Sequence, residues 1–122
     1  MTAKPVTNLW LDDVRPCPYW GNWVVALNYD QAVAVLSKYT VQQASLDHDL
    51  SFEHYQSDHV SGYTEKTGYD LVCWMEAENI WPTVAPVVHS LNPIGAQRMA
   101  TVLAQHYQCS PQALIRPYKK TN

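Results

Sequence analysis

The chain has 122 residues, 47% of them hydrophobic and 16% charged, with a formal net charge of −3 when histidine is neutral. That length suits one compact domain, residues 1–122, with a single core. So sparse and slightly acidic a charge balance gives no global basic field to hold a long duplex nucleic acid by counterion release, and any anionic ligand needs a local site.

Three cysteines, Cys17, Cys73 and Cys109, are widely spaced and form no C-x-x-C pair. They argue against a zinc ribbon or a disulfide framework. MTAKPVTNLW lacks the basic and apolar regions of a secretory signal, and no eighteen apolar residues run together, so a soluble protein of the reducing cytoplasm is expected.

Asn8 to Asp13, NLWLDD, reads as a short strand ending in two carboxylates, followed by the Pro-rich link VRPCPYWGN. WVVALN is a second β-rich run. Asn28 with Gln31 three residues on has capping-box spacing, and Ala32, Val33, Leu36 and Tyr39 then repeat at helical intervals. VQQASLDHDL is the next strand, closing on Asp47, His48 and Asp49. Ser51 to Lys66 has no sustained period, contains His54 and His59, and reads as a long binding loop or lid.

Thr67 and Asp70 repeat the capping-box spacing before LVCWMEAEN, a helix expected to turn Leu71, Trp74 and Met75 inward. The strand VAPVVHS follows. Asn92 caps a last helix with Pro93 at its first position and Ile94, Met99, Val102, Leu103 and His106 on one face. After Pro111, ALIRPY reads as a fifth strand. Strands alternating with helices predict an α/β fold with a parallel five-stranded sheet. Ligands of such sheets collect at the carboxyl ends of the strands. Asp12, Asp13, Asp47, His48, Asp49, His89, Ser90, Asn92 and Arg116 are all expected at that edge.

Each residue alone has an ordinary structural explanation. Asp13 can cap a turn, Asp70 and Asn92 cap helices, His106 suits a boundary with the core, and Cys73, Trp74 and Met75 suit packing. Their convergence calls for more. In HSLNPIG a histidine and a hydroxyl precede a helix whose free N–H groups favour an anion, with Gly95 leaving room for close approach. His48 and His89 can act as base and acid across a phosphodiester, and Arg116 or Arg98 can steady charge on its oxygens. Asp47 or Asp49 can orient a histidine, or Asp47 can join Asp12 and Asp13 in holding Mg²⁺. Arg15 and Thr67 complete the expected phosphate-binding set, and Trp20, Tyr55, Tyr63 and Tyr69 are available to stack on a base, with Trp10 expected in the core.

An acidic pair after strand one, an Asp after strand three, Ser90 after strand four and Arg116-Pro117 after strand five resemble a response-regulator receiver domain. LWLDDVRPCP, SLDHDL, TGYDLV and VHSLNPIG in that order more closely resemble the cyclic-phosphate-processing receiver-like family of bacteria and their phages, from Leu9 to about Leu103. The resemblance implies a flavodoxin-like, receiver-like three-layer sandwich, here lacking the final receiver helix. The sheet face left uncovered makes a homo-oligomer an expected remedy. It also implies a pocket processing the 2′,3′-cyclic phosphate of an RNA end or a cyclic nucleotide, in RNA repair or phage–bacteria conflict.

The leading expectation is a phosphoesterase (a hydrolase) using His48, His89 and Asp49, with no required cofactor, or a divalent metal at Asp12, Asp13 and Asp47. Its partner is a nucleotide or RNA end bearing a cyclic phosphate. The alternatives are a protein that sequesters a cyclic nucleotide, a phospho-accepting receiver, and a metal hydrolase that also recruits His54 and His59.

Overall fold

The computed structural model describes residues 3–51 and 65–116. Expectations resting on His54, Tyr55, His59, Tyr63 and Pro117 fall outside those residues. The described elements are β1 (Val6–Leu11), β2 (Trp23–Ala26), α1 (Tyr29–Lys38), β3 (Thr40–Leu46), α2 (Gly68–Glu78), β4 (Val87–Val88), α3 (Pro93–Tyr107) and a single turn, α4 (Pro111–Leu114). All four strands are parallel in the order β2-β1-β3-β4, so the α/β receiver-like class holds.

The fifth strand reduces to one parallel bridge between Val88 and Ile115. Pro111 stands at the first position of α4, where its fixed φ and missing N–H suit a helical start, and that turn uses up most of the run expected to be β. Only Ile115 and Arg116 run beside β4, with the Arg116 N–H donating to the Val88 carbonyl at 2.8 Å.

Strand alternation divides the sheet into two unlike faces. Leu9, Leu11, Ala26, Ala44, Leu46 and Val88 turn into one core with Ala32, Val35 and Leu36 of α1, Leu71, Val72 and Met75 of α2, and Met99, Ala100 and Leu103 of α3. The three connections that carry α1, α2 and α3, from β2 to β3, from β3 to β4 and from β4 to the Ile115 bridge, step in the same direction across the sheet, so right-handed crossovers put these three helices on that face. In keeping with this, α1 packs on α2 and α2 on α3.

Trp10 is buried but stands outside that core, on the opposite face. There, among the described residues, no helix covers the sheet. The aromatic residues of the β1–β2 link take its place, Tyr19 stacking on Trp23 at 4.7 Å and meeting Trp10 edge-on at 6.0 Å. The second helical layer of the expected sandwich is therefore absent from the described residues.

Helix starts follow their caps. The Asn28 side chain accepts the Gln31 N–H, but Gln31 reaches back to the N–H of Leu27, one residue short of a reciprocal box. Thr67 and Asp70 form a full capping box, and Asn92 accepts the Gly95 N–H. Each cap contributes about 1 kcal/mol.

The buried stripe of α3 differs from expectation. Met99 and Leu103 are inward, but their companions are Gly95, Ala96, Ala100 and Ala104. Ile94 is exposed, and His106 lies exposed against Trp81 at 3.9 Å. Small residues let α3 lie close to the sheet, so the helix turns about its axis relative to a stripe drawn through its largest side chains. In α2, Leu71, Val72 and Met75 are buried, whereas Trp74 is half-buried. The three cysteines are free thiols. Among the described residues no helix is long and apolar enough to cross a membrane.

Candidate active site

The carboxyl ends of β1, β3 and β4 bring Asp12, Asp47 and His89 together, with one ligand atom from each within 4.8 Å of the others. Asp12 ends β1 in a tight turn, where its Oδ1 accepts the backbone N–H groups of Val14 and Arg15 at 2.9 and 2.8 Å. That turn sends the Arg15 side chain back over the strand ends. Its Nε donates to Asp12 Oδ2 at 3.0 Å and one terminal nitrogen donates to Asp47 Oδ2 at 3.1 Å. The outermost of these groups is Arg15, half-buried above two buried carboxylates.

The two carboxylates are driven apart in acidity. Burial pushes Asp12 up, but hydrogen bonds from His89 and from the Arg15 and Val14 N–H groups, with the Arg15 charge, hold it below the usual aspartate value. At Asp47 burial wins, reinforced by the negative charge of Asp12 against the pull of Arg15, and the group is pushed up to about 7. Arg15 is raised, since the carboxylates at 47 and 12 outweigh its own burial.

Burial lowers His89, outweighing its hydrogen bond to Asp12, and so favours the neutral imidazole. Its Nε2 lies 3.0 Å from Asp12 Oδ2, and its Nδ1 lies 2.6 Å from Ser45 Oγ. An ionised carboxylate can only accept, so Nε2 carries the hydrogen and Nδ1 accepts from the Ser45 hydroxyl. Trp10 stacks flat on the ring at 4.0 Å and its Nε1–H donates to the Arg15 carbonyl, fixing imidazole and turn together. Trp10 is thus buried as expected, yet against the site and apart from the main core.

His48 belongs to a separate nest. Its Nδ1 donates to Asp49 Oδ1 at 2.7 Å, and the Asn92 amide donates to the same oxygen at 3.2 Å. The ring lies flat against Gly95, where an added Cβ would collide with it. Among the described residues, His48 Nε2 is buried with no hydrogen-bond partner. The two histidines therefore do not face each other across a common space: Leu46 and Val88 both enter the core, and His89, directly after Val88, turns to the other face, whereas His48, two residues after Leu46, stays on the helix side.

The remaining expected residues fall into place around these two groups. Ser90 Oγ accepts the Asn92 N–H and braces the loop before α3. Thr67 is a buried helix cap, and the Gly68 N–H beside it donates to the His48 carbonyl. Asp13 is half-buried and is not part of the cluster that could hold a metal; His89 takes the place expected for it. Arg98 lies over the Tyr69 ring at 3.9 Å, between α2 and α3. Arg116 is exposed at the end of the bridge to β4. Ser45 is the site residue that sequence reading missed, although a lone hydroxyl in QQASL, one residue before Leu46, marks the non-core parity.

As a donor set, two carboxylates and an imidazole suit a divalent cation. In the described geometry Arg15 already supplies positive charge to the same Oδ2 atoms, so a metal would have to displace it. No curated protein matches the sequence. The family model for the cyclic-phosphate processing receiver domain matches residues 7–105, and the chain belongs to that family.

Proposed function

We propose that the protein is a phosphoesterase opening the cyclic phosphate of a nucleotide or RNA end at the Asp12–Asp47–Arg15–His89 cluster. One observation carries the reading: Asp47, pushed up to about 7, is ion-paired to the outermost cation of the site, Arg15. Protonation of Asp47 weakens that pair, so a guanidinium still held through Nε by Asp12 can turn a terminal nitrogen from Asp47 to a phosphoryl oxygen. The proton then stands where the leaving oxygen needs it. Water forms the new P–O bond as the P–O2′ or P–O3′ bond breaks; protonated Asp47 delivers its proton to the departing oxygen, and the proton the water loses returns to the Asp47 carboxylate, leaving it protonated for the next turnover. His89 acts through Asp12, holding that carboxylate ionised, and is a positioning residue here. His48, Asp49 and Asn92 fix the strand end to α3.

Where a divalent ion is used, Asp12, Asp47 and His89 would hold it, and it would polarise a phosphoryl oxygen. A second reading, capture without cleavage, is favoured by the near-complete burial of Asp12, Asp47 and His89, which limits water access. Incubation with adenosine 2′,3′-cyclic phosphate followed by chromatography separates the two readings. Turnover should fall as pH rises through about 7, where Asp47 loses its proton, and Asp47→Asn should lower it roughly 10²- to 10⁴-fold. Intact ligand recovered after tight binding supports capture, and undiminished turnover by Asp47→Asn removes this chemistry.

A further inference from the structure

A groove of about 520 Å³ lies between α2 and α3, lined by Tyr69, Pro93, Ile94, Gln97, Arg98, Thr101 and Val102. Its walls are mostly apolar, yet Arg98 stands in it with its guanidinium over the Tyr69 ring and its Nη1 buried and, among the described residues, without a hydrogen-bond partner. An unsatisfied N–H of a charged group, placed out of water, is costly, and an anionic acceptor entering the groove would relieve it.

The groove is joined through the chain itself to the strand end that carries Asp47. Tyr69 follows Gly68, whose N–H donates to the His48 carbonyl and whose Cα lies so near the Asp47 carbonyl that a side chain there would collide with it. Ile94 precedes Gly95, which lies against the His48 ring. Both walls are therefore anchored on the Asp47–His48 strand end that carries the proposed acid.

We infer that this groove receives the far end of the substrate: a nucleobase or sugar against Ile94 and Val102, and a second phosphate on Arg98. The inference rests on the cyclic-phosphate reading above and narrows it to substrates bearing two phosphate groups. Stacking on Tyr69 holds the guanidinium plane, so the donors meet the phosphate already oriented. The second phosphate could be a terminal 5′-phosphate or the preceding phosphodiester of an RNA end.

The test is calorimetric binding of three probes: adenosine 2′,3′-cyclic phosphate, the same compound with a 5′-phosphate, and a dinucleotide ending in a 2′,3′-cyclic phosphate. Wild type should bind one or both of the latter about tenfold more tightly than the first, the size of one charge-assisted contact. The 5′-phosphate form alone gaining points to a terminal phosphate; the dinucleotide gaining points to an RNA end. Arg98→Met should abolish the preference, and Arg98→Lys, which keeps charge but loses the planar fork, should restore part of it. Equal affinity for all three probes, no binding of any, or a preference that survives Arg98→Met would overturn the inference. Chromatography of the same mixtures tests cleavage separately: probes recovered intact with the preference present would refute the phosphoesterase reading and leave the groove assignment standing.

Discussion

His48 and His89 carry the same sequence signal, an imidazole just beyond an apolar strand, and the structure gives them opposite surroundings. Around His89 lie an ionised Asp12, the Arg15 guanidinium, the raised Asp47 and the Ser45 hydroxyl, all within a short chain of hydrogen bonds. Among the described residues, His48 has one carboxylate and amide on one side, a glycine backbone against its ring, and a buried nitrogen with no hydrogen-bond partner. One is built into a network of charge, the other into a packing joint. Residue type at a strand end thus says little until the parity of its strand is known.

Alanine at each position breaks or sharpens that contrast most directly. His89→Ala should lower turnover of the cyclic phosphate about 10²-fold. Without its imidazole Asp12 protonates more readily, its charge on Asp47 weakens, and the alkaline fall in rate should move to lower pH. His48→Ala should instead act on stability, losing roughly 2–5 kcal/mol as a buried side chain truncated to alanine does. Thermal unfolding with turnover measured on the folded fraction distinguishes them. If His48→Ala removes activity while leaving the melting temperature alone, the assignments of the two imidazoles are reversed.

A smaller effect is expected at the joint itself. Gly95→Ala puts a methyl group into the His48 ring, and overpacking of this kind costs about 1–3 kcal/mol. Combined with His48→Ala, the same substitution should cost much less than it does alone, because the ring it strikes is gone. Additive losses in a double-mutant cycle would mean that the glycine is needed for α3 and the sheet rather than for His48.

Much of this was legible in the residues. Asn28, Thr67 and Asn92 announce helix starts by short-range chemistry that tertiary packing has no reason to override, and all three cap their helices, although the reciprocal box expected at Asn28 forms one residue early, on Leu27. Asp12, Asp47 and His89 did converge at one edge, because parallel strands must all present the same ends there, whereas His48 and Asp49 form a separate nest. What failed depended on information beyond a local window. ALIRPY looked like a strand, but a helical turn at Pro111 left it only one bridge. The buried stripe of α3 was drawn through Ile94 and His106, whereas close approach selected glycine and alanines. Arg15 was expected among the phosphate-binding residues, but how it returns to the strand ends follows only from the turn at Asp12.

Ser45 gives the finest test of the His89 side of the contrast. Its hydroxyl reaches His89 Nδ1 from a strand position, beside a cleft of about 190 Å³ lined by Tyr19, Trp23 and Gln43. Removing it leaves Nδ1 without that donor in a buried site, which costs on the order of 1–3 kcal/mol. The chemical consequence is more telling than the energy. With Ser45 present, neutral His89 is held with hydrogen on Nε2, toward Asp12; in Ser45→Ala both tautomers become accessible, and the one with hydrogen on Nδ1 sets a lone pair against the Asp12 carboxylate. Imidazole ¹⁵N shifts should therefore report a single Nε2–H form in wild type and a mixture in Ser45→Ala, with Ser45→Thr keeping the wild-type pattern. An unchanged tautomer in Ser45→Ala would mean that Asp12 alone orients the ring, and the serine is then a packing residue of the helix-free face.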